Sequence, residues 1–261
     1  MKEYTNKISL VQNNRGVWDL DPFKGCEDGI NNNSKGCYGL CYAYKIAKFR
    51  GYNFGKTVYR YFETDRSLGN ILKKISQSSF IKGVQPPLVR IGVMCDPSFD
   101  WEHTLNIIEK IKLYNSKIVV ITKHWKELKE NQLYRLKGLY INTSISALDT
   151  EIQIKHRLGW YNKLKKHCHS ILRVNTADFN DKNLKKIQNK LLNNKNVINN
   201  LLRIPKNHKL IKNKIINVEK RQFLTSNVLT SKYNKDVHFG YCVNCPDKCG
   251  INFFTPQPNK I

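Results

Sequence analysis

The chain has 261 residues and carries 45 Lys and Arg against 20 Asp and Glu, which gives a formal net charge of +25. Its length suits one large α/β domain or two small ones and is sufficient to bury a core. No apolar run reaches the roughly 18 residues of a membrane span, and the N-terminus lacks an apolar signal core, so we expect a cytoplasmic protein with no membrane partner. The charge favours a nucleic acid as partner or substrate, although AT-rich codon usage would also enrich Lys and Asn.

Strand-like and helix-like segments alternate along most of the chain. The pattern predicts strands at 17–20, 58–62, 88–95, 117–122, 139–146, 170–174 and 201–205, and helices at 42–50, 65–75, 101–113, 125–136, 148–166 and 182–192. Such alternation is typical of βαβ units and a parallel sheet. It predicts an α/β fold, a partial or closed (β/α) barrel of about six parallel strands, with an open doubly wound sheet as the alternative. We expect the barrel to occupy residues 1–205 and a basic extension with a small cysteine knuckle to occupy 206–261.

Three of the eight cysteines form the motif Cys26-x10-Cys37-x3-Cys41, in a loop that precedes the predicted helix 42–50. In a reducing compartment, such cysteines indicate metal binding or catalysis rather than disulfides. Three thiolates can hold three irons of a [4Fe–4S] cluster and leave the fourth iron open. Zinc is an alternative that would need a fourth ligand, such as a distant histidine, and three reduced cysteines without metal are another. Cys95 and Cys168 stand alone in apolar stretches and are interpreted as small buried hydrophobic residues.

A second cysteine group, Cys242-x2-Cys245-x3-Cys249, forms the predicted C-terminal knuckle. His238 lies just upstream and would complete a Cys3His zinc site. Without the histidine, the three cysteines suit an auxiliary iron–sulfur cluster. The remaining alternatives are a redox-active CxxC pair or simply reduced thiols.

Polar residues follow most of the predicted strands. Because active sites of βα barrels lie at the carboxyl ends of the strands, these residues are candidates for catalysis or binding. They are Glu63, Thr64, Asp96, Ser98, Lys123, His124, Ser144, Ser146, Arg173 and Asn175. Glu63, Asp96 and Lys123 are the first choices, with a helix cap, a turn former or a surface charge as the alternative role of each. His124 is interpreted as a loop histidine, with a metal ligand or an acid/base group as the alternative.

The cysteine loop and its setting resemble the radical S-adenosylmethionine (SAM) superfamily. The residues that carry the resemblance are Trp18, Gly25, Cys26, Gly36, Cys37, Cys41, Tyr42 and Ala43, together with segments 94–98 and 121–123. They are most similar to a divergent, largely phage-associated branch of three-cysteine-motif proteins. The superfamily's usual spacing is C-x3-C-x2-C with an aromatic residue before the last cysteine, whereas this chain has x10 and x3 and places Leu40 there.

The resemblance implies a [4Fe–4S] cluster on Cys26, Cys37 and Cys41, with SAM bound at the open iron. It implies that SAM is cleaved reductively to a 5′-deoxyadenosyl radical, which abstracts hydrogen from a substrate. A flavodoxin- or ferredoxin-like electron donor would supply the electron. Glu63, Ser144 and Arg173 are assigned to SAM, and Asp96 and Lys123 to catalysis.

The net charge points to a nucleobase, nucleotide or nucleic acid as the substrate. Two alternatives remain open at this stage. One is a zinc-stabilised nucleic-acid-binding protein without catalysis, and the other is a cluster enzyme that does not use SAM.

Overall fold

The computed structural model of the chain describes residues 6–12, 17–77, 88–112, 116–220, 228–230 and 245–254. The chain divides into two compact units. Unit 1 combines Met1–Ile141 with Leu164–His169 and Tyr241–Asn244, and unit 2 combines Asn142–Lys163 with Ser170–Gly240 and Cys245–Ile261. The predicted boundary after residue 205 therefore falls inside unit 2. Within the described ranges, no helix combines the length and the apolar character that crossing a membrane requires.

Short strands are distributed along the whole described chain. They are β1 (Leu10–Gln12), β2 (Trp18–Leu20), β3 (Phe23–Lys24), β4 (Val58–Tyr59), β5 (Leu88–Ile91), β6 (Lys117–Thr122), β7 (Tyr140–Ser146), β8 (His169–Thr176), β9 (Asp178–Phe179), β10 (Val197–Leu201), β11 (Arg203–Pro205), β12 (Ile216–Asn217), β13 (Glu219–Lys220) and β14 (Val228–Thr230). Seven of them form the main sheet, in the order β1-β2-β5-β6-β7-β8-β10. Strand β1 runs antiparallel to β2, whereas the pairs β2–β5, β5–β6 and β8–β10 are parallel. This mostly parallel sheet confirms the predicted α/β fold with a partial barrel.

Helices separate most of the parallel strands, as the alternating pattern predicts. They are α1 (Glu27–Asn32), α2 (Tyr42–Phe49), α3 (Asp65–Ser76), α4 (Trp101–Lys112), α5 (Glu130–Arg135), α6 (Glu151–Leu164), α7 (Lys182–Leu192) and α8 (Lys209–Lys212). Helix α3 shows why local sequence suffices for some of them: Thr64 and Ser67 form a capping box, and Ile71 and Ile75 are buried at helical spacing. In unit 2, Ile145 and Leu172 from the sheet pack with Tyr161 of α6 to form a core.

Several predicted elements are wrong in extent or in partner. The segment 58–62 is not a strand of the parallel sheet, because β4 pairs antiparallel with β3 outside it. The strand predicted at 88–95 ends at Ile91, since Gly92 has φ +90°, which lies outside the extended conformation of a strand. Only glycine fits there, because a side chain would lie 2.2 Å from the Ile121 carbonyl oxygen. The last parallel strand is β10 rather than 201–205. Helix α1 lies where a loop was predicted, and the helix predicted from 125 begins only at Glu130.

Candidate metal centre

The cysteine loop lies in unit 1 and is closed by contacts with the segment that follows α2. Gly25 has φ +89°, and a side chain there would lie 2.3 Å from the Lys56 carbonyl oxygen. The Cys26 amide donates to the Phe54 carbonyl at 2.7 Å. The Thr57 amide donates to Glu27 Oε1 at 2.9 Å, and the Glu27 amide donates to Thr57 Oγ1 at 3.1 Å. The start of the loop is therefore fixed by main-chain geometry rather than by its polar sequence.

Two glycines leave room for the cysteine side chains. A Cβ atom at Gly29 would lie 3.1 Å from the sulfur of Cys26 and 4.0 Å from that of Cys37. A Cβ atom at Gly36 would lie 2.3 Å from Cys41 Cβ and 3.2 Å from its sulfur. Gly36 also has φ 77° and ψ −175°, a conformation essentially restricted to glycine. The sulfurs of Cys26 and Cys37 thus both lie beside Gly29 of α1.

The cysteines lie in an apolar environment. Cys26, Cys41 and Met94 pack against a cluster formed by Ala43 and Phe54 with their buried neighbour Ala47. Burial raises the pKa of the Cys26 thiol, and the nearby charges of Asp96, Cys37 and Cys41 raise it further. Burial also raises the pKa of Cys41. The thiols are therefore protonated until a metal displaces the protons, and three sulfur donors suit iron or zinc rather than a hard cation.

The two candidate groups differ in what they require of the cysteines. A [4Fe–4S] cluster takes one thiolate on each of three irons, whereas a structural zinc ion takes four ligands about one centre. Among the described residues, no group of three or more His, Cys, Asp or Glu side chains is arranged as a metal-ion site.

The segment 123–126, which follows β6, contacts the cysteine loop at three points. His124 Nε2 lies 3.1 Å from the Cys37 sulfur. Lys123 Nζ donates to the Tyr38 hydroxyl and lies 4.1 Å from the centre of its ring. Lys126 Nζ forms an ion pair with Asp28 of α1 at 3.0 Å. The structure therefore brings Lys123 and His124 to the predicted cluster ligands.

Asp96 holds the segment 123–126 in place. Its Oδ2 accepts hydrogen bonds from the amides of Lys123 at 2.8 Å and His124 at 2.7 Å. Its Oδ1 accepts from Thr122 Oγ1 at 2.6 Å and from the Ser98 amide at 3.1 Å. Burial alone would raise the pKa of Asp96, but the neighbouring His124 and these hydrogen bonds outweigh it and hold the pKa below its ordinary value. The carboxylate is thus ionised and its roughly four lone-pair positions are all occupied.

Asp21 plays a comparable role after β2, and the sequence interpretation missed it. Its carboxylate accepts hydrogen bonds from the amides of Gly92, Val93 and Met94 at 3.1, 2.8 and 3.2 Å. Burial raises its pKa despite these bonds. Asp21 directly follows β2, so the strand-end rule that selected Lys123 and His124 could also have identified Asp21.

Glu63 lies on the surface of unit 1. Its side chain is 47% exposed and forms an ion pair with Lys7 at 2.6 Å. The strand before it, β4, is not part of the main sheet. The strand-end argument that selected Glu63 therefore does not apply to it.

Ser144 and Arg173 lie in unit 2 and belong to one hydrogen-bonded chain of side chains. Arg173 donates to Asn200 Oδ1 at 2.8 Å, Asn200 Nδ2 donates to Asn175 Oδ1 at 2.6 Å, and Asn175 Nδ2 donates to Ser144 Oγ at 2.8 Å. Arginine can only donate, so it fixes the orientation of both amides. The two predicted residues are thus linked across β7, β8 and β10.

Only part of the predicted C-terminal knuckle can be located. Cys242 and His238 lie outside the described residues. The Cys249 carbonyl accepts a hydrogen bond from Asn142 Nδ2 at 3.1 Å, and a side chain at Gly250 would lie 2.6 Å from Ile171 Cδ1. Burial raises the pKa of Cys245, and the Cys249 thiol adds to this. The knuckle therefore packs on β7 and β8 within unit 2.

Comparisons with known proteins give a fold relationship. Neither a protein-family model nor a curated protein matches the chain. Among solved structures, it is similar to a mutant of spore photoproduct lyase with bound AdoMet and dinucleoside spore photoproduct, at 14% identity and a TM-score of 0.52, over 90% of this chain and 73% of that chain. It is also similar to a second mutant of the same enzyme, at 12% identity and a TM-score of 0.53, over 86% and 72% of the two chains. The chain therefore has the fold of spore photoproduct lyase, a radical SAM enzyme.

Proposed function

We propose that this protein is a radical SAM enzyme that acts on a nucleobase, a nucleotide or a nucleic acid. The observation that carries the proposal is that the sulfurs of Cys26 and Cys37 both lie beside Gly29, in a loop that precedes α2 of this fold. The similarity to spore photoproduct lyase, in a structure with AdoMet and a dinucleoside photoproduct, supports both the cofactor and the substrate class. The net charge of +25 supports a polyanionic substrate.

In this proposal, Cys26, Cys37 and Cys41 hold three irons of a [4Fe–4S] cluster, and the fourth iron is open to SAM. The cluster would supply the electron that cleaves SAM to a 5′-deoxyadenosyl radical, which takes a hydrogen atom from the substrate. The apolar cluster around Ala43 and Phe54 packs against Cys26 and Cys41 and would limit the access of water to their sulfurs. A flavodoxin- or ferredoxin-like donor remains the predicted source of the electron.

The structure suggests revised roles for the residues that were assigned to catalysis. Since the lone pairs of Asp96 are occupied, we assign it to positioning the segment 123–126 rather than to proton transfer. Lys123 contacts Tyr38, and we assign it to holding the loop between Cys37 and Cys41. Both assignments are positioning roles beside the proposed cluster ligands.

The contacts with SAM are also proposals. Glu63 is assigned to SAM as a residue that follows the second strand of the predicted parallel sheet. The second strand of the parallel set is β5, so we assign this contact with SAM to residues 92–95 instead. Ser144 and Arg173 keep their assignment to SAM, since Arg173 supplies a positive charge on the same hydrogen-bonded chain as Ser144. A second cluster or zinc at the knuckle, and membership of the phage-associated branch, stay predictions.

The proposal is tested by anaerobic reconstitution with iron and sulfide. We expect about four irons per chain at the loop, a brown protein, and 5′-deoxyadenosine on addition of SAM and a reductant. Cys37→Ala should lose the iron of this site, whereas Cys168→Ala should retain it, because the Cys168 thiol donates to the Leu164 carbonyl and lies outside the loop. A colourless protein that takes up only zinc would contradict the proposal.

One observation favours a second candidate, a zinc-stabilised nucleic-acid-binding protein. His124 Nε2 lies near the Cys37 sulfur, so a histidine that a Cys3His zinc site needs is at the loop. This candidate predicts one zinc per loop, no absorption in the visible range, and nucleic-acid affinity that falls steeply with salt. Metal analysis after anaerobic purification separates the two candidates.

A further inference from the structure

Within the described part of the chain, His124 places a side-chain nitrogen next to the sulfur of a predicted cluster ligand, Cys37. We propose that its Nε2–H donates a hydrogen bond to the Cys37 sulfur and that this bond raises the reduction potential of the cluster. The proposal rests on the proposed function, since it requires a cluster at the loop. It rests on the 3.1 Å contact between residues that are 87 positions apart in the chain.

The sense of the hydrogen bond follows from the chemistry of the sulfur. A cysteine that binds iron is a thiolate and can only accept, so the imidazole nitrogen that faces it must carry the hydrogen. Reduction adds one electron to the cluster, and part of that charge resides on the sulfur ligands. A donor at the sulfur stabilises the more negative state, and hydrogen bonds to the sulfurs are among the factors that set the potential of iron–sulfur clusters.

The position of His124 is set by the fold rather than by the contact itself. The His124 amide donates to Asp96 Oδ2 at 2.7 Å, and its carbonyl accepts from Ser98 Oγ at 2.6 Å. On the other side, the Cys37 carbonyl accepts from the Leu40 amide at 3.0 Å. Both partners are therefore anchored through their main chains, so little conformational entropy is lost when the hydrogen bond forms.

The neighbouring contacts separate a donor role from a merely structural one. Lys123 and Lys126 already connect this segment to the loop, through Tyr38 and Asp28. Removing the imidazole therefore leaves two contacts that hold the loop. Loss of the hydrogen bond should therefore change the reduction potential of the cluster more than the amount of iron that the protein retains.

The test compares midpoint potentials by EPR-monitored redox titration of the reconstituted full chain. His124→Leu removes the donor, whereas His124→Gln keeps an N–H group on a side chain of similar reach. The control is His156→Gln, which makes the same exchange at an exposed histidine of unit 2 that contacts Trp160. We expect His124→Leu to lower the midpoint potential. At a fixed solution potential, the ratio of reduced to oxidised cluster should fall on the order of tenfold, which corresponds to about 59 mV for one electron. His124→Gln should recover most of the shift, and His156→Gln should match the wild type.

Equal potentials in wild type and His124→Leu at equal iron content would overturn the proposal. A second measurement needs no variant: ENDOR of the reduced wild-type cluster, with histidine labelled with nitrogen-15, should show a weak nitrogen coupling and an exchangeable proton. The strong coupling of an iron-bound nitrogen, or no coupling, would also overturn it. If the wild type cleaves SAM but fails these tests, only this proposal falls, whereas a wild type that holds no iron removes the proposed function as well.

Discussion

Substituting Gly36 by alanine tests the geometry of the cysteine loop most directly. Gly36 has φ 77° and ψ −175°, and its Cβ atom would lie 2.3 Å from Cys41 Cβ, where ordinary contact begins at 3.4 Å. The backbone must therefore shift by about 1 Å to restore a normal contact distance. The backbone conformation alone costs about 1–3 kcal/mol for a residue with a side chain. We expect the free energy of unfolding to fall by at least that amount, and the reconstituted protein to bind less iron because Cys41 is displaced.

Thermal unfolding and iron analysis measure the two effects. A loss of 1 kcal/mol corresponds to about 2–4 °C in Tm for a domain of 150–250 residues. Gly69→Ala is the matched control, since Gly69 lies within α3 and a Cβ atom there would meet nothing within 4 Å. The control should stabilise the protein by about 0.5–1 kcal/mol, because alanine is the better helix former. A Gly36→Ala protein that matches this control in Tm and iron content would refute the loop geometry described above.

Three further predictions address the buried carboxylate, the knuckle and the cofactor. Asp96→Asn should lower the free energy of unfolding by at least about 1.5–3 kcal/mol, the contribution of one hydrogen bond to a charged group. Because the folded pKa of Asp96 is depressed, the difference in free energy of unfolding between wild type and variant should be full at neutral pH and should vanish as pH falls through the folded pKa. Urea unfolding curves of the two proteins that coincide at pH 7 would contradict this prediction. Gly250→Ala should lower the free energy of unfolding by about 1–3 kcal/mol in the same assay, because residue 250 has φ +86° and an alanine side chain there would collide with Ile171. An unchanged urea midpoint would show that the knuckle packs differently. Arg173→Gln keeps a donor for Asn200 but removes the charge, so it should raise the KM for SAM about tenfold, and an unchanged KM would reject the assignment of Arg173 to SAM.

Much of the architecture could be predicted because it depends on local sequence. The strand Lys117–Thr122 and the helix Lys182–Leu192 lie where the pattern placed them. In the first, an apolar run of strand length matches a buried parallel strand, and in the second the Asp181 side chain caps the first turn. The three cysteines of the loop are also apparent as candidate ligands from residue type and spacing, and their role as ligands stays a prediction. For these features the sequence carries the signal within a few residues.

The partners of these elements could not be predicted in the same way. A run such as Val58–Tyr59 fits a strand in any sheet, and only the position of Phe23–Lys24 decided that it pairs outside the main one. The same wrong assignment selected Glu63, because the strand-end rule applies only to residues that follow a strand of the parallel sheet. Strand Val197–Leu201 was missed, since its two asparagines break the apolar pattern that marks a parallel strand.

The sequence by itself determined the alternation of strands and helices and identified the three cysteines as candidate ligands, because both depend on residue type and on spacing within one segment. Only the tertiary structure decided which side chains meet those cysteines. His124 reaches Cys37 from 87 positions away, and Asp96 is buried with its carboxylate directed at the main chain of that histidine. Such contacts arise when β5 and β6 pair side by side and bring their carboxyl ends together, which no local pattern encodes.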